Sequence, residues 1–268
     1  MIDHDRHPIA WREAGEGPPA VFLHGLGGTR TSWDPQLSGL ADRFRCIAWD
    51  MPGYGASAPL AELTFPAIAD SLAGLLDTLE LDAADLVGLS FGGMHALQTA
   101  IRHPSRVRRL VLADTSPAFG LDGTTPQAWQ ATRLAHLDAG RRPAEFAADA
   151  LDAICARPLE PPVRKQLVAS FARISPTGFR AAVECLPHHD VRDALGGIGA
   201  PALIIVGEAD RETPVAYAEA LAAGLPNATL EVFEGVGHLS PSEAPDRFNQ
   251  LVRDFLSRPD APSATTER

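Results

Sequence analysis

The pentapeptide GLSFG at 88–92 is the pattern in this chain with the clearest chemical meaning. It follows the apolar stretch at 86–90, which is typical of a strand, and leads into a helical pattern at 92–103. A serine hydroxyl is a poor nucleophile unless it is exposed and loses its proton as it attacks, and a tight strand-to-helix turn projects it above the sheet. The position therefore predicts Ser90 as a nucleophile rather than as part of an ordinary Gly/Ser turn.

A nucleophilic serine needs a base and an acid that orients the base. When the serine lies at a strand-to-helix turn of this kind, the three residues follow one another in the chain in the order serine, acid, histidine. Asp210 ends the strand pattern at 202–210, and His238 lies in the loop after the strand TLEVFE. Asp210 would hold the imidazole tautomer, while His238 would take the Ser90 proton and return it to the leaving group. Asp114 also ends a strand pattern and is an alternative acid, because such triads are defined by geometry rather than by position.

Two backbone N–H groups are candidates for binding the negatively charged oxygen that forms when a serine attacks a carbonyl carbon. The helix that begins after Ser90 directs the N–H of Phe91 toward the nucleophile, and the glycine-rich loop at 24–28 can bring up the N–H of Leu26. With Trp129, which we predict to line an apolar pocket, Leu26 and Phe91 are the predicted substrate-binding residues. The same loop can instead be a glycine-rich turn with no ligand.

Other histidines and tryptophans of the chain are not assigned a catalytic role. His24 is interpreted as shaping its loop, and Trp33 as lining either the pocket or the core. His188 and His189 are candidates for the pocket, but adjacent histidines do not form a metal site by themselves. We therefore predict no metal site. We also predict no cofactor, since the glycine-rich loop lacks both the ending of a phosphate loop and the spacing of a dinucleotide fingerprint.

These residues need a scaffold in which several strands end at one edge. Apolar, β-rich runs alternate with longer helical patterns, at 20–25, 44–50, 86–90, 109–115 and 202–210. This alternation predicts an α/β fold, with a mostly parallel central sheet flanked by helices. In such sheets, sites form at the carboxyl ends of the strands.

The alternation stops in an Ala-rich segment in which prolines separate four helix-sized pieces. We predict that this segment, 119–195, is a small helical lid inserted before the strand that carries Asp210. The core would then consist of 1–118 and 196–256. The end of the chain, 257–268, lacks apolar periodicity and is predicted to be disordered.

Composition excludes several classes of partner. The formal net charge of −11 argues against binding to nucleic acid, because phosphate contacts need a basic surface. No apolar run approaches the roughly 20 residues that span a bilayer, and no secretory signal is visible, so we expect a cytoplasmic protein without a membrane partner. The widely spaced Cys46, Cys155 and Cys185 are predicted to be reduced thiols. We therefore expect a small-molecule substrate, and the oligomeric state stays open.

The chain resembles the α/β-hydrolase superfamily from about Ile9 to Leu256. The motifs that carry the resemblance occur in the family's order: HGLGG, DMPGYGAS, GLSFGG, RVRRLVLADT, GEAD and GVGH. Within the superfamily it is most similar to the 3-oxoadipate enol-lactonase group, through PQAWQATRL, SPTGFRAAVECLPHHDVRDAL and PALIIVGEAD. The resemblance implies a lid over Ser90 and chemistry without a metal or organic cofactor.

The chain also departs from that group. The region before Ile9 is short, so the family's first strand is expected to be missing or reduced. Phe91 follows Ser90 where enol-lactonases often have methionine, and this form is similar to hydrolases that cleave carbon–carbon bonds of ring-fission products.

The leading functional prediction is hydrolysis of a small ester or lactone through a Ser90 acyl-enzyme. Cleavage of a carbon–carbon bond in a ring-fission product is an alternative that uses the same three residues. A lyase or perhydrolase built on them, and a ligand receptor without catalysis, are also open, because function must be argued from the site and not from the fold.

Overall fold

One sheet of eight strands organises the molecule. The computed structural model describes residues 1–259. The strands are β1 (Ile2–His4), β2 (Trp11–Ala14), β3 (Pro19–Leu23), β4 (Arg45–Trp49), β5 (Ala84–Leu89), β6 (Val107–Ala113), β7 (Ala202–Gly207) and β8 (Ala228–Phe233). Their order is β1-β2-β4-β3-β5-β6-β7-β8. The pairs β1/β2 and β2/β4 are antiparallel and the other pairs are parallel, which confirms the predicted fold class.

Helices connect these strands and cover both faces of the sheet. They are α1 (Asp34–Leu40), α2 (Phe65–Thr78), α3 (Phe91–Arg102), α4 (Pro126–Asp138), α5 (Ala147–Ile154), α6 (Pro161–Phe171), α7 (Pro176–Cys185), α8 (Val215–Gly224), α9 (Ser240–Glu243) and α10 (Pro245–Leu256). Within residues 1–259, none of the helices is long and apolar enough to cross a membrane.

The alternation of side chains along the strands divides the core into two clusters. In β3, Val21 and Leu23 belong to the cluster that packs against α2, α3 and α8, whereas Ala20 and Phe22 belong to the cluster that packs against α1 and α10. Because successive strand residues point to opposite faces, a continuous apolar run is what a strand covered on both sides requires.

Four helices, α4 to α7, lie between β6 and β7, in the segment for which the sequence predicts a lid. Three of them begin with a proline in the first turn, where the missing N–H costs no hydrogen bond. Thr125 and Ser175 cap two of these helices by accepting a backbone N–H three residues on. An antiparallel bridge between Ala118 and Asp190 joins the two ends of the segment.

The register of the parallel strands brings their carboxyl ends together. Leu89 of β5 pairs with Ala113 of β6, and Gly88 pairs with Leu23 of β3. The loops that follow these three strands therefore start side by side. Helix α10 ends at Leu256, and residues 260–268 of the predicted tail lie outside the described residues.

Candidate active site

Ser90 lies in a tight turn between β5 and α3. Its backbone has φ 53° and ψ −118°, a conformation that residues other than glycine seldom adopt. Hydrogen bonds to β6 and the residues after it hold the turn in place: the Ser90 N–H donates to the Ala113 carbonyl at 2.8 Å, and Thr115 Oγ1 donates to the Ser90 carbonyl at 2.7 Å. The hydroxyl is thus projected from the sheet by a backbone that its neighbours fix.

The glycines around the turn are required by close backbone contacts. A Cβ at Gly88 would lie 2.4 Å from the Gly92 carbonyl oxygen, and a Cβ at Gly92 would lie 2.0 Å from the Leu23 carbonyl oxygen. Neither distance is possible for a real methyl group. The glycines of the pentapeptide therefore allow β5, α3 and the end of β3 to approach one another.

A chain of hydrogen bonds joins Ser90, His238 and Asp210. Ser90 Oγ lies 2.9 Å from His238 Nε2, and His238 Nδ1 lies 2.8 Å from Asp210 Oδ2. His238 and Asp210 are almost fully buried, at 6% and 5% exposed. The structure thus brings together the three residues that the sequence predicts, from the ends of strands that are far apart in the chain.

Further donors fix the Asp210 carboxylate. Oδ1 accepts the backbone N–H groups of Glu212 at 2.8 Å and Thr213 at 3.1 Å, and Oδ2 accepts the Thr213 hydroxyl at 2.8 Å. Although burial opposes its charge, the cationic His238 and these donors lower the pKa of Asp210. Burial likewise opposes the charge of His238, but the charges of Asp210 and Asp114 raise its pKa to about 9.

Asp114, the alternative acid, makes no hydrogen bond to His238. Its two carboxylate oxygens accept the N–H groups of Gly207 at 3.0 Å and Ser240 at 2.9 Å. It is fully buried, and this burial, together with the charge of Asp210, raises its pKa to about 7. The geometry therefore favours Asp210 as the partner of the imidazole, while Asp114 fastens the loop after His238 to the end of β7.

The loop at 24–28 lies directly beside Ser90. A Cβ at Gly25 would be 3.3 Å from Ser90 Cβ, and Tyr54 Oη donates to the Leu26 carbonyl at 3.1 Å. In residues 1–259, neither the Leu26 N–H nor the Phe91 N–H has a hydrogen-bond acceptor. Both are therefore free to donate to a ligand at Ser90.

His24 has the loop-shaping position that its place in the sequence indicates. It is buried, its Nδ1 lies 2.9 Å from the Gly25 carbonyl oxygen, and its Nε2 accepts the Met51 N–H at 3.1 Å. The Phe91 side chain is also fully buried, against the rings of Phe65 and His95. Any contact of Phe91 with a ligand is thus made through its backbone.

A cavity of about 520 Å³ opens at Ser90 and His238. Its wall includes Leu26, Met94 and Trp129, together with side chains of the inserted segment such as Phe146 and Phe171. Trp33, by contrast, is 2% exposed and packs in the core against Phe22 and Phe248. The wall is mainly apolar, as a pocket for a small organic molecule generally is.

The adjacent histidines, His188 and His189, do not line the cavity. His188 is exposed, and His189 is buried with its Nε2 3.0 Å from the Ser116 carbonyl oxygen. The cysteines are free thiols, and burial raises the pKa of each to about 12. Among residues 1–259, no three His, Cys, Asp or Glu side chains are grouped so that they could hold a metal ion.

The sequence interpretation missed several residues of this site. Thr213 donates to Asp210, and Arg133 of α4 pairs with Glu212, so that an inserted helix is joined to the loop that carries the acid. The signal for Thr213 is a hydroxyl three residues after an aspartate, a common turn pattern. No sequence pattern identifies the Arg133 contact, because it depends on how α4 packs.

Known proteins resemble this chain over most of its length. The sequence model for the family described as alpha/beta hydrolase fold matches residues 18–245. The chain is 30% identical to 3-oxoadipate enol-lactonase 2 of Acinetobacter baylyi, covering 90% of this chain and 89% of that protein. It is 34% identical to 2-hydroxymuconate semialdehyde hydrolase of Pseudomonas sp. strain CF600, covering 93% and 90%. A solved esterase from Thermogutta terrifontis superposes with a TM-score of 0.83 at 30% identity, covering 92% of each chain.

Proposed function

Since the chain belongs to the α/β-hydrolase family and is an enzyme of that type, we propose that it hydrolyses a small ester or lactone through a Ser90 acyl-enzyme. The resemblance that the motifs indicate, to this family and within it to the enol-lactonases, is confirmed. The observation that carries the proposal is the hydrogen-bonded series Asp210, His238 and Ser90 at the wall of an apolar cavity.

Each step uses a contact already described. His238 Nε2 takes the proton from Ser90 Oγ as that oxygen attacks the carbonyl carbon, and Asp210 stabilises the resulting imidazolium. The carbonyl oxygen becomes negative and accepts the N–H groups of Leu26 and Phe91, each worth about 3–4 kcal/mol by analogy with deletion of such donors. His238 then protonates the leaving oxygen, and the same residues activate water to release the acid.

The cavity wall supports a small substrate that is largely apolar. Of the arginines in the inserted segment, Arg133 lines the cavity, and its charge is paired with Glu212. Arg211 is exposed and also lines the cavity, so it can face one carboxylate of a substrate. Trp129 supplies an aromatic surface beside Arg133. This wall fits a lactone with one acidic group better than a highly charged substrate.

A second candidate is cleavage of a carbon–carbon bond in a ring-fission product. The 34% identity to 2-hydroxymuconate semialdehyde hydrolase supports this candidate. The chemistry would use the same residues, with His238 first moving a proton to convert an enol into a ketone. A cytoplasmic location and the absence of nucleic-acid and membrane partners stay predictions.

The test compares the wild type with Ser90→Ala. We expect the wild type to remove the ultraviolet absorbance of 3-oxoadipate enol-lactone and Ser90→Ala to be slower by roughly 10⁵–10⁶-fold, with unchanged circular dichroism. If a short aryl ester is cleaved but the enol-lactone is not, the lactonase assignment fails and the esterase mechanism stands. Turnover that persists in Ser90→Ala would overturn the mechanism, and bleaching of a ring-fission product would favour the second candidate.

A further inference from the structure

In the loop that carries His238, all four consecutive backbone N–H groups at 237–240 donate hydrogen bonds to other parts of the protein. The acceptors are Glu243 Oε2 for Gly237 at 3.1 Å, the Ile154 carbonyl for His238 at 3.0 Å, Glu243 Oε1 for Leu239 at 3.2 Å and Asp114 Oδ2 for Ser240 at 2.9 Å. A loop usually leaves such donors to water. Here the N–H groups on both sides of the base are bound by one side chain, Glu243.

Glu243 also reaches the inserted helices. Its Oε2 accepts the N–H of Ala156 at 3.0 Å, just beyond the end of α5, and the carboxylate is part of a residue that is 8% exposed. Three backbone donors therefore surround one buried carboxylate. Hydrogen bonds to an ionised acceptor are roughly twice as strong as neutral ones, so this arrangement restrains the loop firmly.

The contact explains the second glycine of the GVGH motif. A Cβ at Gly237 would lie 2.5 Å from the Ala156 N, 2.8 Å from the Ile154 carbonyl oxygen and 2.9 Å from Glu243 Oε1. The base loop and the chain at 154–156 thus pass each other more closely than a side chain allows. Because Ile154 also lines the cavity, the segment that contacts the substrate space is the segment that holds the base loop.

We propose that Glu243 is a positioning residue for His238: its carboxylate clamps the base loop onto segment 154–156 and so holds Nε2 within reach of Ser90. This role rests on the hydrolysis proposed above. Glu243 does not touch the reacting atoms, and its effect passes through the backbone on either side of His238. A glutamine at this position keeps the shape but offers one acceptor oxygen, and its NH₂ group would face a backbone N–H.

The test uses Glu243→Gln and Glu243→Ala, with Glu234→Gln as the matched control, because Glu234 is an exposed carboxylate of the same loop. Turnover of a short aryl ester is measured per active site, counted by titration with a phosphonate, so that unfolded molecules do not contribute. We expect kcat to fall about 10- to 100-fold in Glu243→Gln and further in Glu243→Ala, with KM changed less than about 3-fold, since small misplacements of a catalytic group act on the chemical step. Glu234→Gln should match the wild type.

A second readout reports on the base without any substrate. We expect the proton between His238 and Asp210 to give a low-field ¹H NMR signal, which should shift or vanish in both Glu243 variants and persist in the control. If Glu243→Gln keeps the wild-type signal and kcat per site, the proposal is overturned. If the wild type turns over no ester or lactone, the proposed function fails, while the NMR comparison still decides whether Glu243 positions His238.

Discussion

At the scale of single residues, two buried carboxylates near His238 have different tasks. Asp210 accepts the imidazole N–H, whereas Asp114 accepts two backbone N–H groups and makes no hydrogen bond to the ring. Both end strands at the same edge of the sheet, so the sequence could not choose between them by position alone. The choice follows from the turn after β7, in which Thr213 and its N–H aim Asp210 at the base.

This difference predicts unequal effects of two matched variants. Asp210→Asn should lower kcat/KM about 10⁴-fold, because the imidazole loses the acceptor that selects its tautomer. Asp114→Asn should lower kcat/KM no more than about 100-fold, since its hydrogen bonds act only on the loop. Steady-state kinetics on an aryl ester, with thermal unfolding to show that both variants fold, would reveal it. A larger loss in Asp114→Asn would reverse the assignment of the acid.

The charge on His238 predicts the direction of the pH–rate profile. Its pKa is raised to about 9, with Asp210 and Asp114 as the charges that outweigh burial, and only the neutral imidazole can take the Ser90 proton. We therefore expect kcat/KM to rise with pH between about 6.5 and 9. Asp114→Asn should move the midpoint to lower pH, because one of the two negative charges is removed. A wild-type midpoint below 6.5 would contradict this account.

A residue's place in the site could be predicted from sequence where the residue follows the end of a strand. It could not be predicted where it depends on how helices pack. Ser90, Asp210 and His238 each follow a recognisable strand, so their meeting point was predictable. In the sequence, Trp33 and Trp129 are equally good candidates for the wall of a pocket, yet Trp129 lines the cavity and Trp33 lies in the core. Their difference depends on how the helices around them pack, which one sequence does not reveal.

At the scale of elements, the turn between β5 and α3 places Ser90 at the edge of the sheet. Its glycines bring three backbone segments together, and the strained φ of Ser90 persists because its neighbours fix both sides of the peptide. The apolar strands and the helix pattern around this turn were predictable, because both periodicities are strong. β1 and β2 were not, since they are short strands with polar residues at one end of the sheet; β1 has only three residues.

The close contacts at the turn predict opposite outcomes for two Gly→Ala substitutions. Gly92→Ala should cost roughly 3 kcal/mol or more in the free energy of unfolding, because its methyl group would overlap the Leu23 carbonyl. Gly74→Ala, in the exposed interior of α2 with no atom near the new Cβ, should stabilise the protein by about 0.5–1 kcal/mol. Urea unfolding of both variants measures the difference. A Gly92→Ala protein as stable as the wild type would refute the packing argument.

At the scale of the whole molecule, buried histidines set how stability depends on pH. Burial lowers the pKa of His24, His95 and His189, the last to about 4, while that of His238 is raised to about 9. His95 is the extreme case, because neither ring nitrogen has a hydrogen-bond partner among residues 1–259. The four side chains therefore act on stability in two different pH ranges.

The free energy of unfolding should be largest near pH 6.5. Below this pH the unfolded chain binds protons that folded His24, His95 and His189 refuse. Buried Asp114 acts in the opposite direction, because its pKa is raised from 3.8 to about 7, but it is one group against three. Stability therefore falls as pH decreases toward about 4. Above it the folded state keeps the His238 proton longer than the unfolded chain does, so that contribution is lost as pH rises toward about 9.

Denaturant titrations at pH 4.5, 6.5 and 8.5 test this curve. His95→Leu should flatten the acid side by up to about 1.4 kcal/mol per pH unit, because one buried titrating ring is gone. The alkaline side should not change in this variant. A stability that keeps rising from pH 6.5 to 8.5 would argue against the raised pKa of His238.

The distance along the chain between Ser90 and His238 has a consequence for the newly made protein. The two residues are 148 positions apart, and Asp210 also comes late. At about 5–20 residues per second, a ribosome needs roughly 7 to 30 s to pass from the codon of the nucleophile to that of its base. During that interval the growing chain carries Ser90 without His238, the residue that we propose activates it. Under the proposed mechanism, hydrolytic activity can therefore arise only after β8, His238 and α10 have been made and have joined the sheet.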